Sequence, residues 1–182
     1  MEKIPQSETA TPAPPADWRD THALAEAGDV QAQFALAVSY STGHGHPQDL
    51  PQAAKWYRLA ADQNHALAQF NLGLMLAAGE GATDNDHAAL HWIGRAAEAG
   101  DAGAQFYLGN HYHRASFDRL AESPAELRME SYQWFRLAAD QGYRNSTLHY
   151  ERLTINMSRA EVTQANERLA RRSVTRTAAS IV

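Results

Sequence analysis

Histidine carries most of the latent chemistry in this 182-residue chain, because imidazole titrates near neutrality and is a common zinc ligand. Nine are present, and six fall in pairs: His44-x-His46, His87 with His91 four residues on, and His111-x-His113. Two histidines one helical turn apart can share a zinc ion, yet a site needs a third ligand, and hydrolysis needs a base as well. No His-Glu-x-x-His occurs. Cysteine is absent, which removes disulfides, thiolate zinc sites and cysteine nucleophiles. The only lysines, Lys3 and Lys55, stand in no Ser-x-x-Lys or Lys-Thr-Gly element, and there is no Gly-x-x-x-x-Gly-Lys or Gly-x-Gly-x-x-Gly phosphate loop. The residues imply no catalytic group, no metal, no cofactor and no enzyme.

Recognition chemistry is better represented. Tyr107, Asn110, His113 and Arg114 offer an aromatic platform, an amide able to hold the backbone of an extended peptide, and a cation for a carboxylate. Their value depends on the elements that carry them, and those elements are announced by repetition. Ala32-Gln33-Phe34, Ala68-Gln69-Phe70 and Ala104-Gln105-Phe106 recur at intervals of 36, and each is followed by a tryptophan and an alanine pair: Trp56 with Ala60-Ala61, Trp92 with Ala96-Ala97, Trp134 with Ala138-Ala139. Repetition at this period marks a solenoid.

Superposed, the repeats form columns with helical spacing. Ala32, Leu36 and Tyr40 match Ala68, Leu72 and Leu76, then Ala104, Leu108 and Tyr112, an i, i+4, i+8 face. Beside it runs the small-residue column Ala37, Gly73 and Gly109. Glycine inside a helix costs about 1 kcal/mol relative to alanine, so its place there predicts a second helix passing close by. That second helix is built from Trp56, Trp92 and Trp134 among paired alanines, the rings filling space the alanines leave. Gly28, Asn64, Gly100 and Gly142 close it each time, as left-handed terminators. Gln33, Gln69 and Gln105 follow the repeat and are read as structural.

Between hairpin helices the first two units have Gly43-His44-Gly45 and Gly79-Glu80-Gly81, whereas the third reads Arg114-Ala115-Ser116 and carries six extra residues before Trp134. That longer loop ends in Ser123-Pro124-Ala125-Glu126, and a second such box, Ser158-Arg159-Ala160-Glu161, leads the closing helix. The expected organisation is a disordered, proline-rich segment over 1–16 and a repeat domain over 17–172. Within the domain we place a capping helix at 17–27, units at about 28–63, 64–99 and 100–141, and a divergent unit at 142–172; a frayed tail covers 173–182.

These columns, Ala-x-x-x-Leu-Gly-x-x-Tyr, Gly-x-Gly and Lys-Ala-x-x-Trp-Tyr-x-x-Ala-Ala-x-x-Gly, resemble the Sel-one-like repeat (SLR) family, relatives of the tetratricopeptide repeats. The resemblance covers residues 27–142 closely and extends less regularly to about 170. Leu153-Thr154-Ile155-Asn156-Met157-Ser158 resembles the terminal unit that often finishes bacterial members. It implies an all-α fold, a right-handed α/α superhelix of antiparallel hairpins, acting as a protein- or peptide-binding adaptor or scaffold. In such a superhelix the first helices line the concave side, where the columns Ala35, Asn71, Tyr107; Val38, Leu74, Asn110; Ser39, Met75, His111; and Thr42, Ala78, Arg114 lie. The candidate partner-binding set is therefore Asn71, Met75, Tyr107, Asn110, His111, His113 and Arg114. Two other readings compete: a hydrolase of the β-lactam-associated kind known among cysteine-rich relatives, and a regulatory subunit docking through its basic last helix.

The net charge of −5 is unevenly placed: nine Lys or Arg face eighteen Asp or Glu in residues 1–143, but seven Arg face three Glu in 144–182. The acidic body disfavours nucleic acid, and no stretch reaches the roughly 20 apolar residues of a membrane helix. The start, Met1-Glu2-Lys3-Ile4-Pro5, lacks the apolar core of a secretory signal. The expectation is a soluble, cytoplasmic monomer, or a periplasmic one if a signal peptide has been removed.

Overall fold

The repeat columns fold as helices because each is punctuated at both ends. A computed structural model describes residues 16–80 and 86–179, with side chains described for 19–80 and 86–172. Among the described residues there are helices α1 (Ala16–Glu26), α2 (Val30–Thr42), α3 (Leu50–Asp62), α4 (Ala66–Ala78), α5 (Asp86–Glu98), α6 (Ala102–Ala115), α7 (Pro124–Asp140), α8 (Ser146–Thr154) and α9 (Arg159–Ala179), and no strand. The proline-rich lead before Ala16, Gly81 of the second turn and the last three residues lie outside the described set. Asp29, Asp49 and Asp101 each accept a backbone N–H three residues on, from Ala32 at 2.8 Å, Gln52 at 3.0 Å and Ala104 at 2.7 Å, which satisfies orphan donors of the first turn. His65 does the same for Ala68 through Nδ1 at 3.2 Å. At the other ends Gly28, Asn64, Gly100 and Gly142 all have positive φ, as expected from their column.

The chain divides into two compact units, Met1–Asp86 and His87–Val182. In the first, α1 packs on α2, α2 on α3, and α3 on α4. Its core is alanine-rich with large side chains between: Leu36, Trp56, Tyr57, Leu72 and Leu76 are buried among Ala25, Ala37, Ala53, Ala60, Ala61 and Ala68. A buried amide fastens successive hairpins. Gln33 Nε2 donates to Ala25 O at 3.2 Å, while Gln63 Nε2 donates to Gly28 O at 3.2 Å and to Gln33 Oε1 at 2.8 Å.

In the second unit α6 packs on α7, and α7 on both α8 and α9. The amide clamp recurs: Gln105 Nε2 donates to Ala97 O at 3.1 Å, and Gln141 Nε2 to Gly100 O at 3.0 Å and Gln105 Oε1 at 2.9 Å. Gln69 holds Ala61 O at 3.1 Å, but its Oε1 is buried without a hydrogen-bond partner among the described residues. The repeat position filled by Gln63 and Gln141 is Ala99 in the intervening repeat, which has no amide to give. Gly109 answers the expectation of a close helix: a Cβ there would lie 2.6 Å from the Phe135 ring, and Ser131 Oγ donates to Gly109 O at 2.7 Å. Met129, Tyr132, Phe135, Leu153, Met157 and Ala165 complete this core.

The closing helix binds to its own neighbour. Arg168 forms a two-pronged ion pair with Glu126 at 2.5 and 3.1 Å, Arg128 pairs with Glu161 at 2.8 Å, and the Arg172 guanidinium sits 4.3 Å from the Trp134 ring centroid and 3.4 Å from Glu130. The Ser158–Glu161 box forms reciprocally, Ser158 N–H donating to Glu161 Oε2 at 2.6 Å and Glu161 N–H to Ser158 Oγ at 3.2 Å. The Ser123–Glu126 box does not: Ser123 makes no side-chain cap bond, and the Glu126 carboxylate is engaged by Arg168 instead. Helix α9 also continues to Ala179, past Arg172, where apolar periodicity ends and the sequence predicts fraying. Once nucleated, a helix gains a hydrogen bond for each residue added.

Candidate functional site

The histidine pairs do not assemble. His46 turns onto Ser39, Nε2 lying 3.1 Å from Ser39 Oγ, and its ring packs on Tyr40 at 4.4 Å. His87 and His91 are exposed, His91 leaning on Trp92. His111 meets Tyr112, and His113 meets Phe117 edge-on at 5.1 Å. Among the described residues no three His, Asp or Glu side chains converge on a metal-sized site. A shallow depression on α9 is lined by Arg159, Ala160, Thr163, Gln164 and Glu167, all from one helix face, and encloses nothing.

The seven candidate recognition residues separate into packed and open positions. In the first unit, Asn71 is half-buried and donates its amide to the Tyr57 hydroxyl at 3.2 Å. Met75 is 6% exposed and belongs to the core, so a partner cannot reach it without unpacking α4. In the second unit Asn110 returns its amide to Phe106 O at 3.0 Å. His113 is half-buried with Nδ1 out of contact with any hydrogen-bond partner among the described residues, and burial, with His149 second, holds its pKa below the ordinary value. Tyr107 and His111 are half-exposed and Arg114 is exposed. These three lie at i, i+4 and i+7, on one stripe of α6.

Two features escaped the sequence reading. The sequence marks the insertion after α6 as a loop but not its two large apolar residues, Phe117 and Leu120, which are 68% and 89% exposed beside the exposed Arg114 and Arg119; apolar residues in a stretch without periodicity were the available signal. The other is His149, which the column Asn71, Tyr107 reaches after the longer period of 42. Its ring lies 4.8 Å from Phe135 and 5.2 Å from Phe106, so in this last unit the column position packs against the preceding hairpin's aromatics instead of lining an open face.

Stacked hairpins with recurring caps and amide clamps, and side chains presented outward from helix faces, define an α-helical repeat protein. The Sel1 repeat model matches residues 30–65, 66–101 and 102–143, in frames two residues later than those laid out from the columns. The chain belongs to the Sel1 repeat family and is an all-α solenoid. Among solved structures it is similar to a Sel1 repeat protein from Oxalobacter formigenes, with 33% identity and a TM-score of 0.62 over 74% of this chain and 97% of that one. It is also similar to a protective antigen of uropathogenic Escherichia coli displaying an SLR fold, with 36% identity and a TM-score of 0.62 over 72% of this chain; the match spans 27% of the antigen. No curated protein is significantly similar. Sel1 repeat proteins are generally protein-interaction scaffolds, and no described helix is long and apolar enough to cross a membrane.

Proposed function

We propose that this chain is a non-catalytic scaffold that holds a protein or peptide, and that its main anchoring surface is the α6 stripe of Tyr107, His111 and Arg114 continued by the inserted loop. The observation that carries the reading is the exposure of Phe117 and Leu120 on the one hairpin loop lengthened relative to the repeat. Binding energy concentrates in a few large side chains that fill pockets on a partner, and Arg114 and Arg119 add charge-assisted bonds to carboxylates. The fitting partner has an apolar pocket rimmed by acidic groups. The alternative in which the basic closing helix docks on an acidic partner has less support, since Arg168 and Arg172 already pair with α7. The hydrolase alternative finds no converging set of titratable groups among the described residues.

The test is affinity capture from a bacterial lysate followed by titration of each captured protein. Phe117→Ser with Leu120→Ser is expected to weaken a true partner by at least about tenfold, and Arg114→Ala by less. The same affinity for every captured protein, with helix content intact by circular dichroism, would overturn the assignment of the loop.

A further inference from the structure

His113 stands at the root of the inserted loop, in the last turn of α6, and its ring is the one that meets Phe117, edge-on at 5.1 Å and 82°. Phe117 is otherwise 68% exposed, so this contact ties the loop's first apolar side chain back to the helix. The same ring carries a buried Nδ1 with no hydrogen-bond partner among the described residues. A neutral imidazole with its proton on Nε2 leaves only a lone pair at that position, whereas an imidazolium puts an N–H there and needs an acceptor for it. A buried donor without an acceptor is costly, and more so when charged.

The surroundings offer the imidazolium little help. A helix C-terminus favours a cation through its free carbonyls, but those of α6 are already bonded: Tyr112 O accepts from Ser116 N–H at 3.0 Å, His113 O from Ser116 Oγ at 2.7 Å, Arg114 O from Phe117 N–H at 3.1 Å and Ala115 O from Asp118 N–H at 3.1 Å. On its own segment Arg114, Asp118, Arg119 and Glu122 are exposed, and Asp118 Oδ1 accepts from Leu120 N–H at 2.9 Å. On α7, Glu126, Arg128 and Glu130 pair with α9. From α8 the group that acts on His113 is His149, a like charge when protonated.

We propose that His113 is a proton-operated latch on the inserted loop: the neutral ring holds Phe117 against α6, and the protonated ring leaves its place and lets the loop's apolar residues go. This rests on the reading of that loop as the docking surface, and it adds a regulation to it. The direction follows from burial, which with His149 second holds the His113 pKa below its ordinary value of 6.5. A ring that has swung into water titrates at the ordinary value, so the latched form is favoured above about 6.5 and is progressively lost as pH falls below it. A partner that needs Phe117 and Leu120 held in place is therefore bound near neutrality and released by mild acid.

Nuclear magnetic resonance of the full chain between about pH 5 and about pH 8 tests the latch without any partner. The His113 ring should titrate with a midpoint below 6.5, and the Phe117 ring and Leu120 methyl signals should move with that midpoint. His113→Phe keeps an aromatic ring beside Phe117 and carries no proton, so it should hold the loop signals still over the same range. His149→Gln should raise the His113 midpoint. A His113 midpoint at or above 6.5, loop signals that stay put while His113 titrates, or equal movement in His113→Phe would each overturn the latch. For a captured partner, affinity should fall between about pH 7.5 and about pH 6 in the parent and not in His113→Phe; an equal fall in both would also overturn it. Loop signals that follow His113, with captured proteins indifferent to Phe117 and Leu120, would support the latch and overturn the docking reading alone.

Discussion

Gln105 is fully buried, and its Oε1 is satisfied by the Nε2 of Gln141, 2.9 Å away. Removing that donor by Gln141→Ala leaves a buried acceptor unpaired, at a cost of about 1–3 kcal/mol, which a lower urea midpoint with an unchanged m-value would report. An unaltered midpoint would mean that the clamp adds nothing beyond packing. Gln69 Oε1 has no such donor among the described residues, so the fold tolerates one unclamped glutamine. The sequence identified the glutamines as part of the scaffold from their recurrence alone. It did not disclose the partner amide, because Gln63 and Gln141 sit among helix-terminal residues where polar side chains are ordinary.

At the level of helices, the start of α9 is fixed by Glu161, whose carboxyl is held down to about 2 by the Ser158 backbone N–H first, then the Ser158 hydroxyl and Arg128. A carboxyl depressed on folding stabilises fully above its ordinary value of 4.5, and that contribution disappears as pH falls through about 2. Thermal midpoints recorded between these limits should therefore drop on acidification, and Glu161→Gln should flatten that part of the profile while lowering stability at neutral pH. A variant with the parent's full acid slope would sink this account. Hairpins and left-handed terminators were legible in the columns, since periodicity reports which residues share a face, whereas the caps Asp29, Asp49, His65 and Asp101 were not singled out. Which neighbour meets that face is not a property of one helix. Asn71 and Met75 were therefore assigned to a groove, although one is bonded to Tyr57 and the other is buried. Likewise Ser123 and Glu126 have the spacing of a cap, but nothing local reveals that Arg168, 42 residues on, takes the carboxylate.

For the molecule as a whole, α9 is part of the core. Ala165 is fully buried in the cluster with Met129, Tyr132 and Phe135, and the ion pairs of Arg128, Arg168 and Arg172, with the stacking of Arg172 on Trp134, tie α9 to α7. Truncation after Ser158 should lower the melting temperature by about 5 °C or more, as ~2 kcal/mol corresponds to roughly 4–8 °C at this chain length. Melting that matches the full chain would show α9 to be an appendage. Most of the extensive helix contacts are between consecutive helices, and the hydrogen bonds that hold α9 down, Arg168 to Glu126 and Arg172 to Glu130, reach across only 42 residues. Each unit can thus assemble by zipping one helix onto the last, without closing a long loop first. Low contact order of this kind places helical proteins in the microsecond-to-millisecond range of folding times, fast enough for a hairpin to form as soon as its second helix has been synthesised.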